Sequence, residues 1–408
     1  MKIGLLAYNS ANNFGALLQL LSTYMYLKNH GVEPIVINYS PLDLEDYYRK
    51  TTPIDQFEIN VSFRSKFWKE SSLCRDSIDV ARTIEKEGIE AVIIGSDAVL
   101  QHHALLERIK FPTRNIISFK KFTSDRLFPN PFWGDFEKYL EKQVPLVMMS
   151  ASSQNSDYNY FSKGVISQMK SNLTNFCYIS VRDTWTQKMV SHITNGEVIP
   201  PITPDPVFAF DHNLEGLLPT QEEIRNKFKI EGDYFVFSFH NGMITKDWLG
   251  SFLDFCHDKG YNCYNLPFAN KPSFGDSARN IAFPLSPIDW YSLIKYSKGY
   301  FGNNMHPIVI ALSNSVPFFS FDNYGRSFFN RYYVDEKSSK IYDVIKDANL
   351  TNYRVGCFVR NFTPPSVEFV YDKLVHFDYE NANQFANRQL ERYKKMMSNV
   401  LTYINNEN

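Results

Sequence analysis

The chain has 408 residues, which at roughly 150 residues per domain suggests two to three domains. With 44% hydrophobic and 21% charged residues it has ordinary globular composition, which excludes disorder, collagen and coiled coil for the chain as a whole. Lys and Arg number 43 against 44 Asp and Glu, so the net charge is −1 and no general basic field exists for nucleic acid.

Residues 2–8 (KIGLLAY) are a short apolar run. It is too short for a signal-peptide core and is predicted to be a buried strand. A polar loop from Asn9 to Gly15 follows. A helix is predicted over 16–30, with Leu17, Leu18, Leu21, Tyr24 and Leu27 at helical spacing and Gly31 as its stop. Residues 34–38 are the next strand, and strand–helix–strand order implies a parallel sheet. Residues 41–90 read as a helical excursion and 90–95 as a buried strand running into Ser96-Asp97. Residues 110–135 read as irregular, 135–143 as a helix, 145–149 and 176–181 as strands, and 184–192 as a helix. Pro200, Pro201, Pro204 and Pro206 cannot all sit inside a regular element, so the domain junction is placed there.

The second half restarts the same pattern. Strands are predicted at 234–239, 261–266, 299–302 and 316–321, and helices at 246–259, 287–297 and 306–314. Residues 379–408 read as a helix packing back over a lobe. The expected fold is α/β: two Rossmann-like lobes, GT-B-like, residues 1–200 and 201–378, with a cleft between them. Ligands of open α/β sheets sit beyond the carboxyl ends of the strands, so the polar residues there are the first candidates for chemistry.

Aromatic residues are high at 16%, with 34 Phe and 25 Tyr. Core filling and sugar-stacking surfaces are both open as the reason. Five cysteines without a C-x-x-C support neither a disulfide framework nor a thiolate zinc site. A reducing, cytoplasmic setting is expected. No stretch approaches the roughly 18 apolar residues that cross a bilayer, so at most peripheral membrane contact is expected.

Six places stand out. The loop Asn9–Ala16, with Asn12 and Asn13, lies at a helix N-terminus; it is either a ligand loop or a capping turn. Ser96 and Asp97 end a buried strand, where capping is the simpler reading. Arg182 ends another, able to fork onto a carboxylate or phosphate or to pair with Asp183. His240 ends the first strand of the second half. His306 stands near a helix N-terminus beside Asn304, where the helix dipole lowers an imidazole pKa. A structural role is the commoner fate of a lone histidine. Residues 110–133 interleave basic and aromatic side chains, which suits sugar or lipid headgroups, though a solvated charged face is the simpler reading. No metal-ligand or serine-hydrolase motif appears.

Together these pieces resemble the polysaccharide pyruvyl transferase family over roughly residues 1–325. The matching landmarks are Asn12-Asn13-Phe14-Gly15-Ala16 with Gln19, Gly95-Ser96-Asp97, Ser150-Ala151-Ser152, Ser180-Val181-Arg182, Asp205-Pro206-Val207-Phe208, Met305-His306 and Val316-Pro317-Phe318. The resemblance implies two Rossmann-like lobes and transfer of the pyruvyl group of phosphoenolpyruvate, a co-substrate, onto two hydroxyls of a sugar. No cofactor and no metal are implied. The acceptor would be a saccharide or lipid-linked saccharide, of galactose type, in capsule or other surface polysaccharide assembly at the cytoplasmic face of a membrane. His306, His240 and Asp97 become the catalytic candidates. Arg182, Asn304, Arg326, Asn12, Asn13 and Ser96 become the substrate-binding ones. Asn304 stands where some relatives carry arginine, and Arg326 is the nearest cation where a lysine often follows. A nucleotide-sugar glycosyltransferase and a non-catalytic sugar-binding relative remain as alternatives.

Overall fold

The apolar runs become buried strands in the computed structural model, which describes the chain except residues 11–12, 114–115, 155, 241–243, 272, 275–279, 283, 323–325, 329–330, 334–338, 358–361 and 408. The first half supplies β1 (Lys2–Leu6), β2 (Glu33–Val36), β3 (Ala91–Ile94), β4 (Ile109–Thr113), β5 (Ile116–Phe119), β6 (Leu146–Ala151) and β7 (Tyr178–Val181). Five of these form one parallel sheet in the order β2-β1-β3-β6-β7. Ile3, Leu5, Val92, Ile93, Val147 and Met148 are fully buried. Continuous burial without alternation is what a sheet covered on both faces demands.

The second half supplies β8 (Asp233–Ser238), β9 (Tyr261–Asn265), β10 (Gly299–Gly302), β11 (Phe318–Asp322), β12 (Arg326–Phe328), β13 (Arg331–Tyr333) and β14 (Arg354–Gly356). Its main sheet is again parallel, in the order β14-β11-β10-β8-β9. The chain therefore has the two Rossmann-like lobes expected of it. Much of the aromatic excess lies in the core of this second lobe. Phe237 stacks on Phe301 with ring centroids 5.1 Å apart, and Phe239 meets Phe321 edge-on at 5.2 Å.

The helix Phe14–Asn29 joins the lobes. Its residues 14–27 are all buried, and it is apolar on most sides because both lobes cover it. Phe14 meets Trp290 at 5.3 Å, and Ser22 donates to the Pro206 carbonyl at 2.7 Å. The proline segment is anchored rather than loose. The Val181 amide donates to the Pro201 carbonyl (3.0 Å) and the Thr203 amide to that of Val181 (2.7 Å), so the segment extends along β7 and delivers Asp205 to the cleft. The C-terminal helix Tyr379–Glu407 packs on β6, on the turn Pro206–Ala209 and on the helix Met305–Ser313, touching both lobes.

Two expectations fail. Residues 135–143 do not form a helix; only the single turn Glu137–Tyr139 does. Gly134 stands at φ +75° before the turn and Leu140 is extended (ψ 135°) after it, so the turn does not propagate. Residues 110–135 are not wholly irregular, because β4 and β5 pair as an antiparallel hairpin.

Candidate active site

Strand ends and helix starts from both lobes converge at the lobe boundary. Beyond β3, a Cβ at Gly95 would stand 2.2 Å from the Met149 carbonyl oxygen, so only glycine allows the close turn there. Asp97 follows in the left-handed region (φ +76°), and its carbonyl accepts the Ser152 amide at 2.8 Å. Beyond β7, the Arg182 amide donates to the Ala151 carbonyl at 2.8 Å, which fixes the side chain's origin. The guanidinium then forks: Nη1 lies 2.7 Å from Asp205 Oδ2 and Nη2 3.4 Å from Asp97 Oδ1. It does not pair with Asp183, whose carboxylate instead caps the helix Thr184–Ile193 at the Thr186 amide and accepts from Ser152 Oγ.

Asp205 is the centre of this cluster. Its Oδ2 also accepts from Gln19 Nε2 at 2.6 Å and lies 4.0 Å from His306 Nε2. His306 is 8% exposed and sits in the first turn of the helix Met305–Ser313. Burial lowers its pKa. The Asp205 and Asp97 carboxylates oppose that shift, and the Arg182 and Lys340 charges add to it, so the imidazole rests neutral. In this cluster the buried atoms without a hydrogen-bond partner among the described residues include His306 Nε2, Arg182 Nε, Ser96 Oγ and Gln19 Oε1. Polar atoms left this way are held ready for a ligand or water.

Asp97 lies in the same field. Burial opposes its ionisation, but Arg182, helped by Lys340 and the Ala98 amide, outweighs burial and holds the carboxyl below its usual range. Lys340 was not among the expected residues. It opens the helix Lys340–Asp347, and burial followed by repulsion from Arg182 pulls its pKa down to about 8, against the attraction of Asp183, Asp97 and Asp205. Its segment carries no motif; only burial among these charges reveals it.

Above this cluster a cavity of about 280 Å³ opens between the lobes. Its wall carries Arg126, His240, Lys271 and His306, with Asn13 and Asn304, and no carboxylate among the described residues. Asn13 caps the helix Phe14–Asn29 by accepting the Gly15 amide at 3.0 Å. The Asn304 side chain makes no capping bond to the helix Met305–Ser313. Two helix N-termini thus meet at one cavity, a setting that favours anions. His240 stacks flat on Phe268 (4.3 Å, 3°) with one side open to solvent; desolvation by the cleft wall and the Lys271 ammonium lower its pKa. Arg126 is steadied by the buried Asp125, whose Oδ2 lies 3.8 Å from Arg126 Nε and accepts from Tyr8 OH at 3.1 Å. A larger cavity of about 820 Å³ lies between β7, the proline segment and the C-terminal helix, but it gathers no comparable set of polar groups at strand ends.

The structure thus brings Asp97, Arg182 and His306 into contact range, with Ser96 beside them, and sets Asn13, His240 and Asn304 on the cavity wall. Asn12 lies outside the described residues. Arg326 begins β12, and its side chain lies outside what the structure describes.

A family model described as polysaccharide pyruvyl transferase matches residues 13–324. The chain belongs to the polysaccharide pyruvyl transferase family. Membership makes it a transferase of pyruvyl groups with a saccharide acceptor and a pyruvyl donor. No curated protein sequence matches it. Solved structures share its fold at low identity. UDP-GlcNAc 2-epimerase from Neisseria meningitidis is 10% identical, with 98% of this chain and 100% of that one covered and a TM-score of 0.54. The Methanocaldococcus jannaschii UDP-GlcNAc 2-epimerase is 11% identical, with 99% and 100% covered and a TM-score of 0.54. MnaA of S. aureus is 13% identical, with 99% and 97% covered and a TM-score of 0.51. These likenesses show that this pyruvyl transferase family member has the GT-B architecture. Among its described residues, no helix is long and apolar enough to cross a membrane.

Proposed function

We propose that the donor is phosphoenolpyruvate and that its pyruvyl carbons are moved onto two hydroxyls of a galactose-type sugar, free or lipid-linked, giving a pyruvate ketal and phosphate. The observation that carries this is the interlobe cavity, lined by Arg126, His240, Lys271 and His306 with no carboxylate among the described residues, where two helix N-termini meet. Such a wall suits a small molecule bearing both a phosphate and a carboxylate.

The first step adds one hydroxyl across the enol double bond. Its oxygen bonds the phosphate-bearing carbon, and a proton goes to the methylene carbon. In the second step the other hydroxyl displaces phosphate from the same carbon, and its proton leaves with the phosphate. His306 is the proton carrier in this reading. It rests neutral, and an anionic donor beside it raises its pKa so that it can hold and deliver a proton. Asp97, ionised and directed by Arg182, orients the acceptor hydroxyl with Asn13; Ser96 and Asn304 add hydrogen bonds. His240 and Lys271 receive the departing phosphate. Asn12 and Arg326 remain proposed contacts on the family resemblance alone. A cytoplasmic place in surface polysaccharide assembly, with capsule as one destination, follows from the same resemblance.

The test is phosphate release from phosphoenolpyruvate with and without a panel of hexosides, with mass spectrometry of the sugar. Acceptor-dependent release with a ketal-bearing product is expected. Thermal stabilisation by a nucleotide sugar, without release, would replace this reading with a glycosyltransferase.

A further inference from the structure

The hairpin β4–β5 belongs to neither main sheet. The usual rule for a small antiparallel ribbon is an apolar face turned to the core. Here apolar side chains face water: Ile117 is 62% and Phe119 55% exposed, and in the turn before the hairpin Leu105 is 64% and Leu106 41% exposed. Ile117 and Phe119 are two apart on β5, so they share one face. Among the described side chains beside them, Arg108, Lys120 and Lys121 stand against the carboxylate Glu107. That excess stands out in a chain whose net charge is −1. Lys120 and Lys121 are both exposed.

We propose that Leu105, Leu106, Ile117 and Phe119, with Lys120 and Lys121, dock the first lobe on an anionic phospholipid surface. Exposed aliphatic and aromatic side chains fit the headgroup boundary of a bilayer, and adjacent cations fit its anionic lipids. A nucleic acid would meet the charges but leave Leu105, Ile117 and Phe119 in water. The place is also apt. Ser124 is held by Asp43, its amide and hydroxyl each donating to that carboxylate at 2.8 Å, and Arg126 two residues on lines the interlobe cavity. Phe119 and Arg126 are seven positions apart, so their Cα atoms lie within about 25 Å. The cleft is then within reach of a saccharide carried on a lipid. As a statement about the acceptor this rests on the transferase reading; as a statement about membrane docking it does not.

The experiment is co-sedimentation of the full chain with phosphatidylcholine vesicles, with or without about 30 mol% phosphatidylglycerol. Preference for the anionic vesicles of at least ~10-fold is expected, abolished by roughly 0.5 M salt. Two double variants separate the contributions: Lys120→Glu with Lys121→Glu, and Ile117→Ser with Phe119→Ser. Each should weaken binding by ~10-fold or more while melting like the parent and leaving turnover of a water-soluble acceptor unchanged. No vesicle binding, equal binding to neutral vesicles, variants that bind like the parent, or tighter binding to single-stranded nucleic acid would each overturn the proposal. Vesicle binding without phosphoenolpyruvate turnover would sink the donor assignment and leave the docking surface standing.

Discussion

Gly15 and His306 touch across the lobe boundary: a Cβ on residue 15 would stand 2.2 Å from the imidazole Cγ and 2.4 Å from its Cε1. Glycine is needed there for approach, and the approach fixes where the imidazole lies. Gly15→Ala must therefore push the ring aside. A displacement of about 1 Å costs on the order of 10²-fold in rate when chemistry needs that group in place. The expected outcome is a kcat drop of that order with the melting temperature little changed, read by phosphate release and thermal unfolding.

Removing the Asp205 carboxylate should be felt first in stability. Asp205→Ala leaves the buried Arg182 Nη1 and Gln19 Nε2 without their acceptor. Breaking one partner of a buried pair costs about 3–5 kcal/mol. Urea unfolding should show a loss of that size, and activity should fall further because Arg182 and His306 lose their common reference point.

Lys340 gives the site a titration on the alkaline side. With its pKa pulled down to about 8, the ammonium is lost as pH rises through that value, and the charge cluster of Asp97, Arg182 and His306 beside the cavity loses a cation. The donor KM should climb above pH 8. Lys340→Arg keeps the charge and should flatten that climb. Stability moves the opposite way. An unfolded lysine titrates near 10.4, so the cost of burying the charge is full below pH 8 and is relieved as pH rises from about 8 towards about 10.4. Denaturant midpoints across pH 7 to 10, wild type against Lys340→Met, test the sign.

His102 governs the acid side. Burial and the neighbouring His103 lower its pKa to about 4, against the pull of Glu107, and its Nδ1 accepts the Phe128 amide at 3.0 Å. The unfolded imidazole protonates near 6.5, so stability should fall as pH drops from there to about 4, by roughly 3 kcal/mol at ~1.4 kcal/mol per unit. His306 and His240, also lowered, act in the same direction. His102→Asn keeps an acceptor for the amide but cannot titrate, and should flatten part of this acid limb in chemical denaturation.

The lobes were readable because fully buried parallel strands leave unbroken apolar runs, and the polar residues that end them mark the ligand edge. Arg182 and His306 stand out for that reason. The role of Asp205 was hidden, although the residue itself is a landmark: among prolines it reads as a turn former, and only the fold brings it to Gln19, Arg182 and His306. Lys340 left no trace because a lysine at a helix start is ordinary on a surface; its burial is a tertiary property. The hairpin at 109–119 escaped for a related reason, since Ile117 and Phe119 face outward and give no core alternation.

The helix Tyr379–Glu407 lies against β6 of the first lobe and the helix Met305–Ser313 of the second, and Arg392 within it donates to the Ile202 carbonyl at 2.8 Å. It works as a splint across the joint. Wide swinging of the lobes would strip it from one side and expose Tyr393, Met397 and Val400, which are wholly buried. The aperture of the cleft is thus largely preset, and partner choice rests on the shape of a standing slot rather than on jaws that close. A chimera exchanging one lobe with that of a relative would have to bring a compatible splint with it.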